Sequence, residues 1–126
     1  MRFEHFALNV PNARAMAAWY ANELGLRIAF RKEGPPFVAF LADDSGRVVM
    51  ELYTNTSVVM PDYTFMPPTS FHVAFVSDDP RSTQSRLESA GATPLKDEVL
   101  EVGSVVVTMR DPWGGPVQFC KRPKPL

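Results

Sequence analysis

Hydrophobic and polar positions alternate along two stretches of the chain. In FEHFALNVPN, Phe6, Leu8 and Val10 fall on one face while Phe3, His5, Ala7 and Asn9 fall on the other. In SFHVAFV, Phe71, Val73 and Phe75 oppose Ser70, His72 and Ala74. Both stretches read as β-strands with a bulky apolar face for packing and a face of smaller groups that carries one histidine. His5 and His72 are the only histidines in the sequence.

The elements between them repeat. Asn12 caps a predicted helix that runs to about Leu24 and stops at Gly25, with Met16, Trp19, Tyr20 and Leu24 as its inward stripe. Arg27 to Phe30, Phe37 to Ala42 and Arg47 to Thr54 read as strands, the last two separated by the turn DDSG. After a proline-bearing stretch the order returns. Asp79 caps a second helix with Pro80 in its first position, Thr83, Leu87 and Ala90 inward and Gly91 at its end. Strands follow at about Thr93 to Leu95, Gly103 to Met109 and Pro116 to Lys121, with DPWGG before the last. His5 and His72 are 67 residues apart, as are Glu51 and Gln118, and the helix-ending Gly25 and Gly91 are 66 apart. An offset this constant makes the chain two tandem βαβββ modules, one at about 3–56 and one at about 70–123. The fold class is α+β, with curved mixed sheets around a concave site.

Composition narrows the function classes. A chain of 126 residues with 45% hydrophobic content can bury a core without staples. A net charge of -1 gives no reason to expect nucleic acid or membrane as partner. Cys120 is the single cysteine, so no internal disulfide forms, and no apolar run reaches the roughly 20 residues of a spanning helix. A cytoplasmic location is the expectation. The 12 prolines punctuate loops and the closing KRPKPL.

The same alternation gathers the chemistry. Glu51 opposes Met50 and Leu52, and Gln118 opposes Val117 and Phe119. If the bulky faces pack on the helices, His5, Glu51, His72 and Gln118 share the opposite faces. Two imidazoles, a carboxylate and an amide oxygen form a ligand set for a divalent metal. A lone strand histidine is more often structural than ligating; two in register beside Glu51 and Gln118 favour the metal. Gln118 is open between ligand and pocket hydrogen-bonder. Tyr53 shares the Glu51 face and could touch a ligand, Trp19 and Tyr20 read as helix packing, and Trp113 lies in a turn. Arg110 reads as a solvated cation or a contact for an anionic substrate, and Cys120 as a small buried hydrophobe.

With these residues in place, the chain resembles the vicinal oxygen chelate superfamily, which includes glyoxalase I, methylmalonyl-CoA epimerase, extradiol dioxygenases and bleomycin- and fosfomycin-resistance proteins. FEHFALNV, LGL, GRVVMELY, SFHVAFV and DPWGGPVQF fall where that family has its recurring features. The resemblance covers about Phe3 to Pro123 and implies a single domain over residues 1–126. It implies a divalent ion (Zn, Ni, Co, Mn or Fe) on His5, Glu51, His72 and Gln118, a small-molecule substrate and a homodimer. Within the family, the order His, Glu, His, Gln is similar to glyoxalase I of the bacterial kind, with an amide in the last place where a carboxylate is usual. Glu51 is then the one ligand able to take a proton, because an amide lacks basicity. Two function classes follow: a metal-dependent lyase or isomerase, and a bleomycin-resistance-type protein that sequesters a small molecule without chemistry.

Overall fold

The computed structural model describes residues 1–100 and 103–126. The chain separates into two compact units, Met1–Pro61 and Asp62–Leu126. Each repeats the order strand, helix, strand, strand, strand.

In the first unit these are β1 (Phe6–Asn9), α1 (Ala13–Leu24), β2 (Arg27–Arg31), β3 (Ala39–Ala42) and β4 (Val48–Tyr53). They form a four-stranded sheet in the order β1-β4-β3-β2, with β1 parallel to β4 and the other pairs antiparallel. α1 starts where the sequence places it: the Asn12 side chain accepts from the Ala15 N–H at 3.0 Å. It stops at Gly25, whose left-handed φ of 72° lets its N–H reach the carbonyls of the last turn. Its buried residues are Ala13, Met16, Ala17 and Tyr20. Trp19 and Leu24 from the expected stripe are only half-buried, and the two alanines take their place, because small residues let the helix lie close on the sheet. The face of the sheet that meets α1 carries Ala39, Leu41, Met50 and Leu52, all buried. The turn Asp43–Gly46 closes as predicted: the Asp43 carboxylate accepts from the Ser45 N–H and hydroxyl, which holds its pKa below the usual carboxylate value.

The second unit opens with a single 3-10 turn, Tyr63–Phe65, followed by β5 (Val73–Val76), α2 (Pro80–Ser89), β6 (Thr93–Val99), β7 (Val105–Arg110) and β8 (Pro116–Lys121). The sheet order β5-β8-β7-β6 repeats that of the first, again with one parallel pair, β5 on β8. Asp79 caps α2 by accepting from the Ser82 N–H at 3.0 Å, with Pro80 in the first turn. Only Pro80 and Leu87 of α2 are buried; the expected inward Thr83 and Ala90 are half-buried. β6 is longer than the predicted Thr93 to Leu95, because its antiparallel pairing with β7 runs on to Val99. The tandem βαβββ reading of the sequence holds in both units.

β3 starts at Ala39 rather than Phe37 and β7 at Val105 rather than Gly103, and the first strand of each unit also starts later than the periodicity places it. Pairing of β1 starts at Phe6 against Met50, and β5 starts at Val73 against Val117. Each histidine therefore stands immediately before the first paired residue of its strand rather than inside the ladder. No helix among the described residues is long and apolar enough to cross a membrane.

Candidate metal centre

In the first unit, register brings the expected residues together. Glu51 sits on β4 between Ala7 of β1 and Phe40 of β3, on the face opposite α1. His5, one step before β1, turns its Nε2 to 3.2 Å from Glu51 Oε2. Its ring meets Phe40 edge-on, with centroids 5.3 Å apart, and Phe40 in turn meets Phe30. The other ring nitrogen, Nδ1, is engaged by the Glu4 carboxylate. Period-two alternation puts Glu4 and His5 on opposite faces, so nothing in the pattern pairs them. They meet because residues 4 and 5 precede the ladder, where the backbone is free to turn.

The second unit fixes its histidine by other means. His72 Nδ1 lies 2.7 Å from the Pro68 carbonyl. A carbonyl only accepts, so Nδ1 carries the proton and the lone pair rests on Nε2. Gln118 of β8 lies beside Ala74 of β5 and Thr108 of β7 in register. Its Nε2 donates to the Thr108 hydroxyl at 3.2 Å, which leaves the amide oxygen as the end with acceptor capacity to spare.

Arg110 is not the solvated cation or substrate contact expected from the sequence. Its guanidinium donates to the carbonyls of Tyr63, Gly114 and Met66 at 3.0, 2.9 and 3.0 Å. It thereby ties the segment leading to Pro68 onto the DPWGG turn. That turn is tight: a Cβ on Gly114 would come within 2.9 Å of the Thr64 backbone, and one on Gly115 within 2.7 Å of the Asp111 carboxylate. The buried Asp111 carboxylate accepts from the Trp113 and Gly115 N–H groups, both at 2.9 Å. Tyr53, paired with Asn9, is half-buried on the Glu51 face. Cys120 is buried as expected, and burial pushes its thiol pKa up, which leaves it a poor nucleophile.

Among the described residues no group of three or more His, Cys, Asp or Glu side chains is already gathered to hold an ion. The donors come as two pairs, one in each unit, and the chemistry of each pair suits a divalent metal. Metal-bound histidines as a rule have their second ring nitrogen held by a carboxylate or carbonyl, and both Nδ1 atoms are held in that way here. The 3.2 Å between His5 Nε2 and Glu51 Oε2 serves a hydrogen bond or one edge of a coordination polyhedron. In the latter, adjacent ligand atoms bonded at about 2.1 Å stand roughly 3.0 Å apart in an octahedral shell and roughly 3.4 Å apart in a tetrahedral one.

Comparison with known proteins agrees with the architecture. The model of the Glyoxalase/Bleomycin resistance protein/Dioxygenase superfamily matches residues 2–119. No curated protein gives a significant match. Among solved structures, a glyoxalase-related enzyme from Fulvimarina pelagi superposes with a TM-score of 0.73 at 17% identity, over 98% of this chain and 89% of that one. The lactoylglutathione lyase of Agrobacterium tumefaciens gives 0.67 at 20% identity, over 94% and 92%. A glyoxalase family protein from Enterococcus faecalis gives 0.71 at 20% identity, over 95% and 97%.

Proposed function

Because the chain belongs to the glyoxalase/bleomycin resistance protein/dioxygenase superfamily, we propose that it is a metal-dependent lyase or isomerase of the glyoxalase I type, moving a proton on a small oxygenated substrate. Members of the superfamily generally use divalent metals. The observation that supports a metal here is the orientation of the two imidazoles: Glu4 and the Pro68 carbonyl occupy both Nδ1 atoms, leaving Nε2 as the ligating nitrogen of each. A protein that merely sequesters a small molecule gains nothing from that arrangement.

On this reading His5 and His72 bind through Nε2, Glu51 through its carboxylate and Gln118 through Oε1. A bound divalent ion supplies Lewis acidity for negative charge developing on a substrate oxygen. Glu51 takes the substrate proton, since both imidazoles are engaged and Gln118 has no basicity. The Thr108 hydroxyl keeps the Gln118 amide from flipping. Phe40, the register neighbour of Glu51 on β3, packs edge-on against the His5 ring and helps to hold it. One carboxylate in the ligand set makes this a single-base site. The active form we propose is a cytoplasmic homodimer, in keeping with the exposed Phe30 and Val76 on sheet faces opposite the helices.

The test is turnover by protein loaded with Ni, Co, Zn or Mn, assayed first for making or breaking lactoylglutathione. Glu51→Gln should lower kcat by at least about a hundredfold, within the range of a lost general base, while the circular dichroism spectrum is unchanged. Wild-type turnover by that variant would place the base elsewhere.

A further inference from the structure

A second site lies in the first unit, on the face of the sheet that carries α1. Its origin is a β-bulge. Ile28 pairs with Leu41 and Phe30 with Phe40, but Arg31 pairs with Ala39, so the register shifts between Ile28 and Phe30. The extra residue returns Arg31 to the same side as Ile28 instead of the opposite one. That side also carries Ala39, and α1 lays Ala17 and Ala18 along it, leaving a cleft of about 290 Å³ with an apolar floor.

The rim is cationic. Arg14 from the first turn of α1, Arg31 from β2 and Lys32 from the following loop line the cleft against one carboxylate, Glu33, in a chain whose net charge is -1. Both arginines converge on that carboxylate. Arg14 Nη2 donates to Glu33 Oε2 at 2.6 Å and to its backbone carbonyl at 2.7 Å, and Arg31 Nε lies 2.8 Å from Oε1. Arg14 is further held over the Phe37 ring at 4.9 Å. Phe37 adopts a left-handed φ of 57°, the one positive φ among the described non-glycine residues. Backbone strain of that kind collects at ligand clamps. Two guanidinium groups, each giving one N–H to the same carboxylate, make a cationic notch whose charge suits carboxylates and phosphates.

We propose that this cleft binds a small organic anion, a carboxylate or phosphate monoester with a short apolar or aromatic part, and that Glu33 occupies the anion position until the ligand displaces it. The side chain is two-thirds exposed and sits on a loop, so it can swing into water without disturbing the sheet. The anionic group takes its place between Arg14 and Arg31, and the apolar part lies on Ala18, Ile28 and Phe37.

Removing Glu33, an acidic residue that contacts the cleft, should strengthen binding. Phenyl phosphate titrated into uniformly 15N-labelled full-length protein should shift the amide signals of Arg14, Ala17, Ile28 and Arg31. Glu33→Gln should bind it about threefold more tightly, the scale on which an exposed ion pair acts. Arg31→Ala should weaken it at least about tenfold, as expected for a lost charge-assisted contact. Arg31→Lys, which keeps the charge and loses the fork, should fall between. Inorganic phosphate, lacking the apolar part, should bind more weakly than phenyl phosphate. Shifts confined to other regions, equal affinity for the two phosphates, or unchanged affinity in Glu33→Gln would each overturn the proposal.

Discussion

The two units share an order of elements and a sheet topology, yet each holds its histidine by a different device. In the first, charge does the work: His5 stands between the carboxylates of Glu4 and Glu51. In the second the partners are neutral, with the Pro68 carbonyl on His72 and Gln118 tied to Thr108. The supports differ as well. α1 buries four residues, while the polar α2 buries only Pro80 and Leu87. A repeated backbone thus places a histidine at the same point of each unit and leaves each copy free to choose the groups that hold it.

The largest effect that sharpens this contrast is on stability. Because Leu87 carries most of the apolar attachment of α2, Leu87→Ala should cost about 3 kcal/mol, read as a lower midpoint in urea with an unchanged slope. A loss under about 1 kcal/mol, well below the range for a buried leucine, would mean that the helix is held elsewhere.

A smaller effect is expected at Arg110. Arg110→Ala leaves the carbonyls of Tyr63, Met66 and Gly114 without their donor, at a cost of about 2 kcal/mol. It should also loosen the segment that presents the Pro68 carbonyl to His72. The variant should therefore show a broadened His72 ring signal by NMR and an unaltered His5 signal. Equal changes in both rings would contradict the separate bracing of the two units.

The smallest effect concerns Asp97. It binds Arg81 through two hydrogen bonds, at 2.6 and 3.1 Å, and so ties α2 to β6. Arg81 holds the Asp97 pKa below the usual carboxylate value. The folded state therefore favours the ionised form. Whatever the pair contributes is present above the ordinary aspartate value and is lost as pH falls through the lowered one. Both groups are open to water, so Asp97→Asn should move Tm by no more than about 2 °C at pH 7. The difference from the parent should vanish at about pH 2, well under the ordinary aspartate range.

Much of this architecture was legible in the sequence, because strand alternation and helix caps are local. Asn12 and Asp79 named the helix starts, and the spacing of His5 and His72 named the repeat. What escaped was set by register or by distant backbone. The bulge after Ile28 breaks period two with an added residue, so Arg31 changes sides without any sign in the pattern. Arg110 finds carbonyls up to 47 residues away. The Glu4 contact arises only because the chain leaves the ladder before His5. Parity put His5 and Glu51 on one face, where they stand 3.2 Å apart, but the ring orientations were not legible, since those depend on partners outside the strands.

His5 and His72 are each proposed to bind a divalent ion through Nε2. The direct measurement is calorimetric titration of metal-stripped protein with Ni or Zn, followed by the same titration of His5→Ala and His72→Ala. The account predicts binding by the parent protein and a loss of at least about a hundredfold in each variant, the upper end of what removing even a ligand's supporting partner costs. Unchanged affinity in both variants would contradict it.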